Sequence, residues 1–203
     1  MKTLMLLSGI CLCGCFTKPC VETNYYFKVQ AKILPENESI NIGDTLYIVS
    51  NFSSSLLDQR SGKVIEYSDA VDLNSTIGIG RIDPTDSIPK EAVNDFKYLS
   101  EVGNIYNDPT IPKSNGVQQL SFNYSNDSYQ LKVGMVPIKK GLYVIGLANG
   151  LSIGRKGSKA CEKAAFEFSV SNLDQHFNSY TTLFQDHTIT EYEKKHAYYF
   201  QVQ

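Results

Sequence analysis

LSFNYSNDSYQLKV, residues 120–133, is the stretch from which the fold class is read. Leu120, Phe122 and Tyr124 alternate with polar residues, Ser125-Asn126-Asp127-Ser128 has turn composition, and Tyr129, Leu131 and Val133 alternate again. Successive side chains of a strand point to opposite faces. Period-two alternation on both sides of an Asn-Asp pair therefore reads as a β-hairpin with one buried face. Working toward the amino terminus, Tyr25 to Leu34 alternates loosely and stops at Pro35. Gly43-Asp44 is a turn signal that opens TLYIVSNF, in which Leu46, Ile48 and Ser50 share a face. Val64 to Tyr67 follows, then Val71 to Ile82, interrupted by Gly78 and Gly80 as at a bulge or a close approach.

Toward the carboxyl terminus, Leu142 to Ala148 is a near-continuous apolar run of the kind a central strand carries. Phe166, Phe168 and Val170 mark another strand, and Tyr198 to Val202 a closing one. Two helices are predicted between strands. One starts near Ser87 with Pro89 in its first turn and carries Val93, Phe96 and Leu99 at helical spacing. The other presents Leu173, His176, Phe177, Tyr180 and Leu183 or Phe184 on one face. Eight or nine strands with two short helical insertions predict a mostly-β chain folded as an antiparallel β-sandwich. Gly141-Leu142-Tyr143 at the start of a buried strand resembles the tyrosine corner of immunoglobulin-like folds, in which a Tyr hydroxyl ties down the connection. Lys139 stands where that motif has an Asp, and no Trp marks the core. The expectation is an immunoglobulin-like sandwich with Gly43, Asp44, Gly141 and Tyr143 as its structural residues.

Composition bounds the function classes. Hydrophobic residues make up 42% and charged residues 20% of the 203, the mix of a globular chain and not of a disordered one. A formal charge of −2 leaves no electrostatic footprint for nucleic acid, so no nucleic-acid partner is expected.

The amino terminus, MKTLMLLSGICLCGC, has one Lys followed by an apolar run to Gly14. At about 1.5 Å per residue, that run is too short to cross a hydrocarbon core of roughly 30 Å. It fits the apolar region of an export signal. It ends in Leu12-Cys13-Gly14-Cys15, which resembles the lipobox of bacterial lipoproteins: an aliphatic residue, small residues, then a cysteine. A thiol is required to carry a diacylglyceryl group by thioether, and small residues before it let the peptidase close on the backbone. An ordinary signal with chance cysteines is the plainer alternative, and Cys11, preceded by Ile10, is a poorer acceptor. The expected organisation is a leader over 1–14, a lipidated tether over 15–23 and one β-sandwich domain over 24–203. Acyl chains such as palmitate on Cys15 would hold the protein on a membrane, since each buried CH₂ contributes about 0.8 kcal/mol. By analogy with lipoprotein sorting, Phe16 is not the inner-membrane retention signal of an Asp, so the outer membrane is expected.

With Cys15 lipidated, Cys20 and Cys161 remain, and an even pair in an oxidising compartment reads as a disulfide. Closing so long a loop could stabilise by about 5 kcal/mol in the chain-entropy model. Two separate buried thiols are the alternative. Metal binding is not expected, because no His or Cys lies nearby at ligand spacing.

Ile42-Gly43-Asp44-Thr45-Leu46-Tyr47-Ile48, continuing to Asn51-Phe52-Ser53 and Leu57-Asp58, resembles uncharacterised lipoproteins of the Bacteroidota. Cys15, Cys20, Gly141, Tyr143, Cys161, Phe166 and Phe168 stand where those chains carry a lipid cysteine, a second cysteine, a Gly-x-Tyr strand, a single cysteine and a Phe-rich strand. The resemblance implies architecture and no activity. Those exported to the surface carry acidic residues after the lipid cysteine, whereas Phe16-Thr17-Lys18-Pro19 has none. This departure favours a periplasm-facing position over surface exposure.

No catalytic constellation is expected. His176, His187 and His196 match no ligand spacing, and Asp186 beside His187 makes no recognised pair. Gly78-Ile79-Gly80-Arg81 is a fragment of a dinucleotide fingerprint that lacks its third Gly and its helix. The Gly- and Lys-containing segment 150–159, with Arg155, Lys156 and Lys159, misses the phosphate-loop pattern; it reads as a solvated loop, with an anionic ligand as the alternative. No Ser nucleophile is expected: Gly150-Leu151-Ser152-Ile153-Gly154 has the Gly-x-Ser-x-Gly spacing, but no helical pattern follows it as in a nucleophile elbow. The expectation is a non-enzymatic, lipid-anchored envelope protein without cofactor or metal, whose partner beyond the membrane is an unknown envelope protein or a glycan. A glycan-binding accessory protein using exposed Tyr is the second reading, and a hydrolase built from scattered Asp and Glu the third. Because thioether formation precedes cleavage, Cys15→Ala should leave an uncleaved precursor that takes up no label from a fatty-acid analogue. Equal labelling of mutant and wild type would refute the assignment.

Overall fold

The structure, a computed structural model, describes residues 22–86, 88–106, 116–158, 161–181 and 190–203. The leader, Cys15, Cys20, Ser87, Lys159, Leu183, Phe184, Asp186 and His187 lie outside the described residues. Nine strands of five or more residues are present among those described. They are β1 (Thr23–Leu34), β2 (Leu46–Ser53), β3 (Asn74–Ile82), β4 (Phe96–Val102), β5 (Val117–Ser121), β6 (Ser128–Pro137), β7 (Gly141–Leu147), β8 (Glu162–Val170) and β9 (Ala197–Val202). Two short helices are α1 (Phe177–Thr181) and α2 (Glu191–His196).

The strands make a sandwich-like pair of layers joined through β1. In one layer β1 lies against β8, followed by the short strand Gly150–Ser152, then β3, β7, β9 and the edge pair Ser39–Ile40, with β5 also on β3. In the other, the end of β1 pairs with β2, β2 with β6, and β6 with β4 and with Asn123–Ser125. Rings from the two layers meet between them. Phe52 packs on Phe166 at 6.1 Å, Phe122 stacks on Phe168 at 5.2 Å, and Phe96 meets Tyr143 edge-on at 5.0 Å. One contiguous core runs from Phe27 to Val202, with a smaller cluster of Ile82, Tyr180, Ala197 and Tyr199 under α1.

The alternation read from the sequence sets which faces are buried. Leu46, Ile48 and Ser50 point inward together, as do Tyr129, Leu131 and Val133, and Phe166, Phe168 and Val170. Asn126 and Asp127 both have left-handed φ, 51° and 54°, so Asn123–Ser125 and Ser128 onward close as a two-residue hairpin whose turn matches strand twist. The run 120–124 is not one strand, however. Its first part belongs to β5 in one layer and its last part to the hairpin in the other, and the chain crosses between them at Phe122.

Three expectations are corrected. The sheet is not wholly antiparallel: β1 runs parallel to β8 from Thr23 opposite Glu162 to Ala31 opposite Val170, and Val202 runs parallel to Ile40. The helix expected from Ser87 is a single 3-10 turn, Val93–Asp95, followed by β4. The spacing of Val93, Phe96 and Leu99 suits a helix locally, but the open edge of β6 offers Phe96 to Val102 a ladder of backbone bonds, and that pairing wins. Among the described residues the second helix is Phe177–Thr181, and Leu173, expected on its buried face, is 98% exposed. His176 precedes α1 with φ 56° and is not on a helix face.

The turn residues take the roles their chemistry suits. Gly43 has φ +91°, and the Asp44 carboxylate accepts from the Asn41 backbone N at 2.7 Å and from its side-chain Nδ2 at 3.1 Å. Gly141 opens β7 at φ +152°, where a side chain would be strained. Tyr143, two residues on, is fully buried, and its hydroxyl lies 3.2 Å from both the Lys139 carbonyl oxygen and Asp95 Oδ2. Buried Asp95 also accepts from Lys139 Nζ at 2.6 Å and from Arg81 Nη1 at 3.4 Å. The hydroxyl thus ties the β6–β7 connection to the 3-10 turn. Burial first, and then the Asp95 charge, push the Tyr143 phenol up to about 12.

Tyr143→Phe should cost about 1 kcal/mol, or up to ~3 if Asp95 is left short of a donor. Tyr143→Ala should cost about 3–5 kcal/mol by emptying an aromatic site. Urea melts read both, and an unchanged midpoint for Tyr143→Ala would contradict the tie.

Candidate functional site

The concave surface of interest is built around α2, which packs on β8, β7 and β9. A six-residue helix is marginal in water on its own and needs help at its ends. Thr190 supplies it with a capping box: its hydroxyl accepts from the Glu193 amide at 3.2 Å, and the Glu193 carboxylate accepts from the Thr190 amide at 2.8 Å. Glu191 and Glu193 lie in the first turn and Lys194, Lys195 and His196 in the last, the order the helix dipole favours.

Two adjoining cavities flank α2 and share Tyr192 and His196. One, of about 230 Å³, has a floor made by Gly78 on β3 and Gly146 on β7 and a wall that includes Val117 and Ala148. Gly78 and Gly146 are register partners on neighbouring strands, and a Cβ built on either would meet no atom nearer than 3.8 Å. Two missing side chains side by side therefore leave a flat, apolar bed. Gly80, one turn of the pleat along, is different: a Cβ there would meet Pro89 Cβ at 2.7 Å, so Pro89 fills that space. The second cavity, of about 340 Å³, is the more polar of the two and is also lined by Asn149, Glu167, Glu191 and Lys195.

His196 links the two. Its side chain is only 6% exposed, and its ring stacks on Tyr192 with centroids 4.1 Å apart at 22°. Nδ1 lies 2.8 Å from the Tyr192 carbonyl oxygen. A carbonyl can only accept, so Nδ1 carries the proton, and in the neutral ring Nε2 presents a lone pair. Nε2 is buried and has no hydrogen-bond partner, and Glu167 Oε1 stands 3.9 Å away. With the ring neutral, two acceptors face each other across a gap too long for a direct hydrogen bond; with it protonated, Nε2 and the carboxylate form an ion pair. Tyr192 itself is 61% exposed, an aromatic held in one orientation by the stack beneath it. The Glu191 carboxyl is held below its usual range by the Lys194 ammonium, which it contacts at 2.7 Å.

Of the residues singled out from sequence, His196 and Gly78 line these cavities, and the others described fall elsewhere. Gly43, Asp44, Gly141 and Tyr143 are structural and do not line either cavity. Cys161 is the one cysteine among the described residues. No disulfide has both its cysteines there, because Cys20 and Cys15 lie outside. The basic loop is spent internally: Arg155 makes a two-pronged pair with Glu162 at 2.6 and 2.9 Å and donates to the Glu66 carbonyl, while Lys156 pairs with Asp69 at 3.1 Å. This removes Arg155 and Lys156 as free anion-binding charges. His176 is packed edge-on to Tyr198 at 5.2 Å. Among the described residues no cluster of three His, Cys, Asp or Glu could hold a metal ion.

Sequence reasoning set His196 aside for want of a ligand spacing and passed over Tyr192, one helical turn before it, and Glu167, which only the meeting of β8 with α2 brings near. One local signal was available: Thr190-x-x-Glu193 is a capping-box pattern that announces α2.

No family model and no curated protein matches this chain. Among solved structures it is similar to the human F-spondin reeler domain, at 8% identity over 73% of this chain and 88% of that one, with a TM-score of 0.33. It is also similar to the type II cohesin dyad of the adaptor ScaA scaffoldin of Acetivibrio cellulolyticus, at 8% identity over 72% of this chain and 47% of that one, TM-score 0.25. Likenesses at this level carry no argument about what the chain binds.

If the cap positions the site, Thr190→Ala should lose about 1 kcal/mol locally. Amide hydrogen exchange across Glu193 to His196 should then accelerate while that of β7 and β8 stays unchanged. Identical exchange in α2 would mean that packing alone holds the helix.

Proposed function

We propose that this chain is a non-enzymatic, lipid-anchored protein of the cell envelope, placed on the periplasmic side of the outer membrane, whose β domain is a binding module. The observation that carries the reading is the pair of cavities beside α2, where an apolar bed and an oriented exposed Tyr stand next to the polar side chains of Asn149, Glu167, Glu191 and Lys195. Such a combination of apolar surface with a few placed polar groups is what ligand sites are made of. The lipobox at Cys15 supports the location. The buried Tyr143, its bond to the Lys139 carbonyl and the opening Gly141 support an immunoglobulin-like form of the sandwich.

The tether belongs to the same proposal. The Thr23 amide donates to the Cys161 carbonyl at 2.8 Å, so the chain enters β1 directly beside Cys161. A residue three positions earlier is within the reach of a short extended segment, which supports a Cys20–Cys161 bond pinning the anchor to the body.

A hydrolase reading would rely on Glu167 and Glu191, which line the same cavity. One preparation separates these readings: full-length, lipidated protein carrying a photo-cross-linking phenylalanine analogue at Val117, or at the distant, exposed Leu173 as control. Irradiation of the intact envelope should give discrete adducts from position 117 and none from 173. Non-reducing peptide maps of the same protein should show Cys20 joined to Cys161. Matching adduct patterns at both positions would overturn the binding site. Turnover of chromogenic glycosides that Glu167→Gln abolishes would overturn the non-enzymatic reading, and two free thiols the tether.

A further inference from the structure

Resting on the reading of Cys15 as the lipid anchor, we infer that the corner of the domain at the start of β1 docks on the phospholipid surface. The contact is made by the hairpin over 55–66 on one side of that strand and by Leu151 and Ile153 on the other. In the hairpin Ser55–Leu57 pairs with Val64–Glu66, and Leu56 and Ile65 pack on the core. Leu57 and Val64 are register partners with no such cover, each more than half exposed. The turn between them is tied to the first residues of β1. Asp58 bridges to Phe27 and accepts from the Tyr26 amide at 2.8 Å, the Gln59 amide donates to the Tyr26 carbonyl, and Arg60 Nη1 donates to the Asn24 carbonyl at 3.0 Å. Across β1, Tyr26 lies beside Ala165 of β8, and Ala165 beside Leu151. Leu151 and Ile153 are also more than half exposed. Four large aliphatic side chains therefore meet solvent on the two sides of one strand end, the kind of grouping that marks an interaction surface.

The tether says what covers them. Eight peptide links separate Cys15 from Thr23, so a bilayer that holds Cys15 lies within about 29 Å of this corner. A patch this sparse would hold a free partner weakly. A tether that keeps it beside the bilayer makes the contact intramolecular and raises its effective concentration. Charge agrees with an anionic lipid surface. Arg60 and Lys63 are exposed on the turn and form no ion pair among the described residues. The Asp58 carboxylate is buried and occupied by the Ser61 hydroxyl at 2.6 Å, which leaves Glu66 as the exposed carboxylate of the hairpin. Two further carboxylates at the corner, Glu22 and Glu162, are neutralised by Lys163 and Arg155. The turn is thus cationic in a chain of formal charge −2, and basic side chains near an anionic leaflet are attracted to it.

The chain has no Trp, so single substitutions report depth without background. Full-length, acylated Leu57→Trp, Leu151→Trp and Leu173→Trp proteins are reconstituted in vesicles of phosphatidylethanolamine and phosphatidylglycerol, part of the lipid carrying brominated acyl chains. Leu173 is the control. It is exposed, and the side chain of neighbouring Asn172 bonds to the backbone of Ile33, ten residues along β1 and about 33 Å from Thr23. Brominated lipid should reduce the emission of Leu57→Trp and Leu151→Trp severalfold and leave that of Leu173→Trp unchanged. Adding Arg60→Glu and Lys63→Glu to Leu57→Trp should bring its quenching toward the control level, and so should high salt on the parent probe. Val64→Trp and Ile153→Trp replace a probe whose urea midpoint is lowered.

The inference is overturned if the probe on either side of β1 is quenched no more than Leu173→Trp, if all three are quenched alike, or if charge reversal changes nothing. A blue shift that grows with protein density and resists brominated lipid would put a second copy of the chain on this face instead. Vesicle flotation with a fatty-acid label separates these failures from failure of the anchor. Labelled protein that floats with unquenched probes would remove the docking corner and leave the lipid anchor. Unlabelled protein that does not float would remove both.

Discussion

The parallel pairing of β1 with β8 is the constraint on which the rest of the molecule depends. From Thr23 to Ala31 the strand lies beside Glu162 to Val170, and from Lys32 to Leu34 it leaves that layer to pair with Tyr47 to Val49 of β2. A single strand therefore belongs to both layers. Its inward residues Phe27, Val29, Ala31 and Ile33 are buried, so the two layers cannot slide apart without exposing them. Joining residues so distant in sequence costs loop entropy before any contact rewards it, which makes this pairing the non-local heart of the fold.

What fills the space between the layers follows from a core with many Phe and Tyr residues and no Trp. Phe27, Tyr67 and Phe166 contact one another at 5.3 to 6.1 Å, and Phe52 extends the cluster to Tyr129. A buried phenol needs a partner for its hydroxyl, and Tyr67 and Tyr129 each have one. Tyr129 donates to the Tyr67 carbonyl and accepts from the Ala70 amide, while Tyr67 meets the Ser152 hydroxyl at 3.3 Å. Burial raises the phenol pKa of both residues, so they stay neutral and useful as donors. The tyrosines thereby act as packing and as polar ties between segments that share no strand ladder.

The groove beside α2 depends on the same framework at one remove. Glu167 faces outward because Phe166 and Phe168, its neighbours on β8, face inward. Gly78 and Gly146 lie side by side because the register of β3 on β7 puts them there. α2 is then laid across these strands just before the chain enters β9, and His196 is the last residue of the helix before that turn into the sheet. A binding surface arises from three strands and one capped helix without any of them departing from ordinary geometry.

Read alone, the sequence determined the faces of most strands, the Asn126-Asp127 hairpin, the Gly43-Asp44 turn and the buried role of Tyr143. Each rests on local rules: period-two alternation, turn chemistry, and the need of an interior phenol for a partner. Alternation says which side of a strand is buried and nothing about which strand lies next to it. Only the tertiary structure decided that β1 runs parallel to β8, that the chain changes layers at Phe122, and that Phe96 to Val102 is a strand on β6 where helical spacing suggested otherwise. For the same reason the capping box at Thr190 was legible, whereas the approach of Glu167 to His196 was not. The first is chemistry within four consecutive residues, and the second exists only once sheet register has brought distant segments together.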